Sequence, residues 1–188
     1  MASFHPLVSI SDPILGAEKF KDAYFCLEGD PESVSIGKQI VSDLKGIAFS
    51  ILTKNKTLYH AAAVTACGHL VALISTAIEM LSDCGLERQK AQEILLPLIK
   101  STVANLGVQT PSQALTGTFA RADVETMQNH LNVLREKESE EVNNIYIQLG
   151  LRSLGLAQEQ GADQEKLEQM KELLERELFQ KSFFNTPV

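Results

Sequence analysis

The side chains with chemistry to offer are four histidines, three scattered cysteines and an arginine that follows a hydroxyl-rich loop. His5 stands beside Pro6, His60 falls in the first turn of a long apolar helix, and His130 sits in a later helix. An imidazole moves protons near neutral pH, and just as readily serves as a structural hydrogen-bonding group. A helix N-terminus disfavours the cationic form, which suits His60 to a neutral role. His60 and His69 are nine residues apart. At roughly 100° per residue they face opposite sides of a continuous helix and cannot share a metal ion. Cys26, Cys67 and Cys84 show no C-x-x-C spacing and read as reduced thiols, Cys67 as a small core residue.

The loop Ala114-Leu115-Thr116-Gly117-Thr118 gathers hydroxyls around a glycine, and Arg121 follows it. Two readings stand: a helix connection with Arg121 on Asp123, or a small-anion pocket in which the guanidinium supplies a two-pronged donor. Neither G-x-G-x-x-G nor G-x-x-x-x-G-K-[ST] occurs, so the chain carries no recognisable phosphate cradle.

Two grammars position these residues. Before Asn55 the chain reads strand, strand, helix, strand. Phe4 to Ile10 is interrupted by Pro6, and Ala23 to Leu27 ends at Glu28-Gly29-Asp30-Pro31. Asp30 caps a helix with Pro31 at its first position; Val34, Ile36, Ile40, Val41 and Leu44 are its apolar residues, Gly46 closes it, and Ile47 to Leu52 is a third strand. So few strands make an α/β remnant. After Asn55 the pattern is helical. Thr57 is expected to cap a helix reaching Asp83, apolar all round and buried on several sides, with Gly85 as its stop. A helix from Glu87 to Leu106 contains Pro97, which should kink it. A polar loop spans Val108 to Ala122. Asp123 caps a third helix (Val124, Met127, Leu131, Leu134), and a fourth from Glu140 carries Val142, Ile145, Leu149, Leu151 and Leu156. Gly161 breaks it, and Asp163 caps a last helix with Leu167, Met170, Leu174 and Leu178 in one stripe.

Of the 188 residues, 44% are hydrophobic and 22% charged, as in ordinary globular domains. A net charge of −7 argues against a nucleic-acid partner, which needs a basic face. The acidic run Glu136, Glu138, Glu140, Glu141 reads as a solvated helix face. The first residues lack a basic and an apolar region, so no secretory signal is expected. Ala61 to Leu81 has the length of a membrane span, but Thr65, Gly68, His69, Ser75, Thr76 and Glu79 favour a helix buried in protein.

Five motifs appear in order: Phe4-His5-Pro6-Leu7 with Ser9; Leu27-Glu28-Gly29-Asp30; Tyr59-His60-Ala61-Ala62-Ala63-Val64; Leu96-Pro97-Leu98 with Thr102 and Asn105; and Ala114-Leu115-Thr116-Gly117 with Arg121, Asp123, Thr126, His130 and Leu131. Together they resemble the bacterial Rossmann-like proteins that carry the domain of unknown function 2520, over about Ser3 to Ala157. The resemblance implies a 6-phosphogluconate-dehydrogenase-like arrangement, an NAD(P)-binding Rossmann domain followed by an all-helical domain that often dimerises. More distantly, the His-Pro element looks like that of prephenate dehydrogenases, where such a histidine lies close to substrate. The chain departs from the pattern in three places. The glycine-rich first half is absent, Gly68 stands where the motif has Asn, and Thr118 and Ala122 replace Pro and Gly.

The expectation is thus a mainly α chain. An α/β Rossmann remnant (1–56) precedes a helical dimerisation and substrate domain (57–182) and a tail (183–188). The resemblance implies part of an NAD(P)-dependent oxidoreductase for a small hydroxy- or keto-acid. His5 and His60 would polarise the substrate or relay a proton, Arg121 bind its anionic group, and Asn105 with Thr116 line the pocket. This chain alone would hold no cofactor, NAD(P) binding only where a Rossmann half is supplied. A cytoplasmic homodimer with a small anionic substrate, no nucleic acid and no membrane completes the reading. The alternative is a non-enzymatic helical dimerisation or partner-binding module.

Overall fold

The computed structural model describes residues 1–12, 14 and 16–184, with 179–184 described by backbone alone. The chain is mainly α, with one small sheet near its start. The assigned tail 183–188 lies, from residue 185 on, outside the described residues. Contacts divide the chain into two compact units, Met1–Ser75 and Thr76–Val188.

In the first unit, β1 (Ala2–Pro6), β2 (Tyr24–Gly29) and β3 (Ile47–Phe49) form a mixed sheet in the order β1-β2-β3. β1 runs antiparallel to β2, and β3 parallel to it. The first strand ends at Pro6 rather than Ile10, and the third at Phe49 rather than Leu52. Proline is tolerated there because β1 is an edge strand of this sheet. The parallel pair needs a crossover, which α1 (Pro31–Asp43) supplies. Asp30 caps α1 as expected, accepting from the Ser33 N–H at 2.9 Å. Its stop differs: Lys45, at φ 58°, takes the left-handed position assigned to Gly46. Gly46 is required for another reason. A Cβ there would stand 2.5 Å from the Phe25 ring and 3.0 Å from the Ala23 carbonyl oxygen.

Side chains alternate across a strand, so the sheet has two unlike faces. Phe25 and Leu27 point to one side and pack on Val41 of α1, forming the core of this unit. Cys26 and Glu28 point to the other, beside Ser3 and His5 of β1, with Ser3 opposite Glu28 and His5 opposite Cys26. The α1 helix buries only part of its apolar set, for Ile36 and Ile40 remain 59% and 46% exposed.

The long apolar helix begins with a 3-10 turn, Thr53–Asn55, and α2 (Lys56–Val64) follows. Thr57 therefore lies inside the first turn and is not the cap. A π turn, Thr65–His69, joins α2 to α3 (Leu70–Asp83), so the phase argument that separated His60 from His69 on a regular helix does not carry over. Burial also differs from expectation. Only 6% of the most apolar 18-residue window is buried, although its mean hydropathy is 1.8 and its length suffices to cross a membrane. Leu58 and Val71 are 73% and 66% exposed. Periodicity reports that a helix is apolar on every side, and says nothing about which chain covers it.

In the second unit, Gly85 (φ 94°) ends α3 and Glu87 caps α4 (Arg88–Leu106), which stays helical through Pro97. The expected polar loop contains two single-turn helices, α5 (Pro111–Ala114) and α6 (Gly117–Ala120). The first has a complete capping box between Thr110 and Gln113. Three longer helices build the core: α7 (Val124–Lys137), α8 (Glu140–Glu159) and α9 (Gln164–Phe184). Met127 and Leu131, Ile147 and Leu154, and Leu167, Met170 and Leu174 meet there. For α7 and α9 these are the expected stripes. For α8 the buried face runs through Asn143, Ile147, Gly150, Leu154 and Ala157, while Leu149 of the expected set is 44% exposed. Gly150 explains the rotation: the Phe119 ring and Leu174 approach so closely that a Cβ would touch both. Arg135 of α7 grips the buried Glu177 of α9 through one guanidinium edge, Nε donating to Oε2 and Nη2 to Oε1.

Candidate functional site

Two periodicities build a pocket in the first unit. Lys56, Tyr59 and His60, at i, i+3 and i+4, share one side of α2. They meet the sheet face that carries Ser3, His5, Cys26 and Glu28, and enclose a pocket of about 160 Å³. Tyr59 Oη lies 2.7 Å from His5 Nδ1, and the two rings stand edge to face. The His5 and His60 ring centres are 6.0 Å apart. Lys56 Nζ is 2.6 Å from Glu28 Oε1. Glu28 is 8% exposed, and its second oxygen, Oε2, is buried without a hydrogen bond of normal geometry.

Charge is arranged unevenly around this pocket. The Lys56 ammonium holds the Glu28 carboxyl below the usual carboxylate range against the cost of burial, helped by the nearby Thr53 and Ser3 hydroxyls. Burial pushes the Cys26 thiol up, and the Glu28 charge adds to it. The Tyr59 phenol is also raised, chiefly by burial and then by Cys26, to which it is hydrogen-bonded. Cys26 and Tyr59 therefore keep their protons while Glu28 and Lys56 are charged. The pocket offers phenol, thiol and imidazole hydrogen-bonding groups together with one ion pair.

The structure brings His5 and His60 together. Asn105, Thr116 and Arg121 belong to the second unit and are exposed. Asn105 lies in the last turn of α4, where its carbonyl accepts from the Gln109 N–H at 2.9 Å. Thr116 and Arg121 flank α6. The Asp123 carboxylate caps α7 and is held below its usual range first by the Thr126 N–H and then by the Thr126 hydroxyl, with a smaller contribution from the Arg121 charge. A groove of about 450 Å³ in this unit is bounded by Glu79, Asp83, Arg88, Lys137 and Ser139, and by none of those three residues.

Cys26, Glu28, Lys56 and Tyr59 were not singled out as site residues from sequence. Their signal was available as spacing: i, i+2 on β2, and i, i+3, i+4 on α2 with His60. It acquires meaning only once strand register sets Cys26 beside His5.

The described residues do not fit a dinucleotide. A pyrophosphate needs a glycine turn and free N–H groups at a helix N-terminus. At the turn from β2 to α1 the N-terminus already holds the Asp30 carboxylate, which accepts from the Ser33 N–H and hydroxyl, both at 2.9 Å. The approach to α2 is the 3-10 turn Thr53-Lys54-Asn55, with no glycine. Among the described residues no group of three or more His, Cys, Asp or Glu side chains is placed to hold a metal ion.

This pairing of a small mixed sheet with a helical unit recurs in solved proteins. The chain is similar to protein TM1727 from Thermotoga maritima, with 26% identity and a TM-score of 0.73 over 85% of this chain and 62% of that one. It shares the fold of BF3122 from Bacteroides fragilis, a candidate NADP oxidoreductase, at 23% identity and a TM-score of 0.63, covering 82% of this chain and 56% of that one. It thus spans about three-fifths of the length of these relatives. Residues 23–153 match the domain of unknown function DUF2520, and the chain belongs to that family. No protein of curated function matches it.

Proposed function

We propose that this chain is the substrate-side portion of an NAD(P)-dependent oxidoreductase acting on a small hydroxy- or keto-acid, with dinucleotide binding supplied by residues other than those described. The observation that carries this reading is the convergence of His5 and His60 on one pocket with Tyr59 and the Glu28–Lys56 pair. Adjacent imidazoles suit polarisation of a carbonyl and proton transfer at the same carbon–oxygen bond. The protein is a cytoplasmic homodimer, and its exposed apolar helix is covered by a second copy. The size of BF3122 and TM1727 relative to this chain, and the fold shared with them, are consistent with a missing nucleotide half.

A second reading has its own support. The exposed helix and the occupied N-terminus of α1 also suit a helical dimerisation module with no chemistry. One titration separates the two. The full chain is titrated with small 2-hydroxy- and 2-keto-acids while the His5 and His60 imidazole resonances are followed, with NADH and NADPH in parallel. The oxidoreductase reading expects at least one acid to shift both histidines. It also expects neither nucleotide to bind more tightly than about 100 µM, or roughly −5.5 kcal/mol. Unmoved histidines across the panel favour the module, and tight nucleotide binding overturns the division of labour.

A further inference from the structure

We infer that the pocket between β2 and α2 takes the carbonyl or hydroxyl end of a small ligand and excludes a carboxylate, so that the acid group of a substrate stands apart from that end rather than beside it. The substrate class so named rests on the oxidoreductase reading, whereas the exclusion follows from charge alone.

Two charges border the pocket, and water reaches them unequally. The Glu28 side chain is 6% exposed and that of Lys56 54%. The ammonium is committed to Oε1 at 2.6 Å. Oε2 is buried without a hydrogen bond of normal geometry, although the Ser3 and Thr53 hydroxyls lie near the carboxylate. Water screens an exposed charge strongly and a buried one far less, so the field left inside is negative. Cys26, which lines the same pocket, registers that sign. Burial raises its thiol most, and of the two charges Glu28 raises it more than Lys56 lowers it.

No second cation offsets this field. Among the described residues Lys56 is the one Lys or Arg side chain lining the pocket, and the chain has no arginine before Arg88. The N-terminal end of α2 favours a negative charge beside it, but Glu28, paired with the first residue of that helix, already fills that role. A ligand carboxylate here would be a second buried anion with neither a counter-ion nor a fork of donors, which is the costly case. Uncharged groups meet no such cost. His5 and His60, with ring centres 6.0 Å apart, and Tyr59 offer imidazole and phenol groups to a carbonyl or hydroxyl oxygen. The volume of about 160 Å³ equals roughly five waters at about 30 Å³ each, room for a fragment of a few carbon atoms.

Three ketones test this: pyruvate, with its acid next to the carbonyl; 4-oxopentanoate, with the acid two carbons further on; and butanone, with none. Each is titrated into the full chain at about pH 8, where imidazole is ordinarily neutral, while the His5 and His60 resonances are followed. Butanone and 4-oxopentanoate should bind about tenfold more tightly than pyruvate, or better. Glu28→Gln removes the buried anion and frees the Lys56 ammonium, so pyruvate should gain about tenfold while butanone is unmoved. Pyruvate binding as tightly as butanone in the wild type overturns the exclusion and leaves the acid substrate standing. Discrimination that survives intact in a folded Glu28→Gln overturns it as well; should that variant fail to fold, the wild-type series decides. Butanone shifting both histidines while neither acid does so upholds the exclusion and sinks the acid substrate alone. Histidines unmoved by all three remove both.

Discussion

Lys56 Nζ meets Glu28 Oε1 at 2.6 Å, joining the first residue of a helix to a strand residue whose side chain is 6% exposed. Removing one partner leaves a buried charge uncompensated, which costs more than the pair itself contributes. Lys56→Met should therefore destabilise the protein, and the effect should depend on pH. The lowered Glu28 value means that its stabilisation is present above the ordinary carboxyl range and is lost as pH falls through the folded value. In the variant the largest cause of that lowering, the Lys56 ammonium, is gone. The gap in melting temperature between wild type and Lys56→Met should be widest near pH 7 and close toward about pH 4, the ordinary carboxyl range. A gap independent of pH would separate the stability effect from Glu28.

At the alkaline end Tyr146 supplies the corresponding test. Burial pushes its phenol up to about 12. The folded protein thus holds a proton that the unfolded chain releases near pH 10. Stability from this group is complete below about pH 10 and is lost as pH rises toward 12. Two pH units correspond to about 2.7 kcal/mol, reduced to about 1–2 kcal/mol for a phenol that water partly reaches. Tyr146→Phe should flatten the alkaline loss by that amount in denaturant titrations at pH 9 to 12. Parallel curves for the two proteins would refute it.

Gly46→Ala should cost about 1–3 kcal/mol, the usual penalty for overfilling a packed core. Its new methyl would collide with the Phe25 ring, which is fully buried and cannot swing aside, and with the Ala23 carbonyl. Gly85→Ala makes a clean comparison. Its φ of 94° strains any side chain, but no atom lies within 4 Å, so only the backbone penalty of about 1–2 kcal/mol applies. Phe25→Leu should relieve the first variant and leave the second untouched. Equal rescue of both would show that crowding is not the cause at Gly46.

The exposed helix carries the prediction about assembly. Thr53–Asp83 spans 31 residues, about 46 Å at 1.5 Å per residue. Leaving so much apolar surface in water is costly, and a self-complementary contact between two copies would cover it. Light scattering at micromolar concentration should give a dimer, and Val71→Glu, placed where exposure is 66%, should weaken it at least tenfold. A strictly monomeric wild type would end this account.

What the sequence determined by itself is local. Asp30, Asp123 and Asp163 were legible as caps because a cap is satisfied by an N–H two or three residues onward, within reach of any chain that starts a helix there. The stripes of α7 and α9 were legible for the same reason, each burying one regular face. His5 and His60 could be named as candidates from residue type and motif. Tertiary structure decided the rest. The buried face of α8 turned on how closely Phe119 could approach Gly150, and strand register alone set Cys26 beside His5 and Glu28 beside Ser3. A hydrogen bond between Tyr59 and His5, or an ion pair between Lys56 and Glu28, joins residues whose separation along the chain carries no information about distance. Those contacts form only when a period of two on the strands meets a period of 3.6 on the helix, and which residues then meet is fixed by packing.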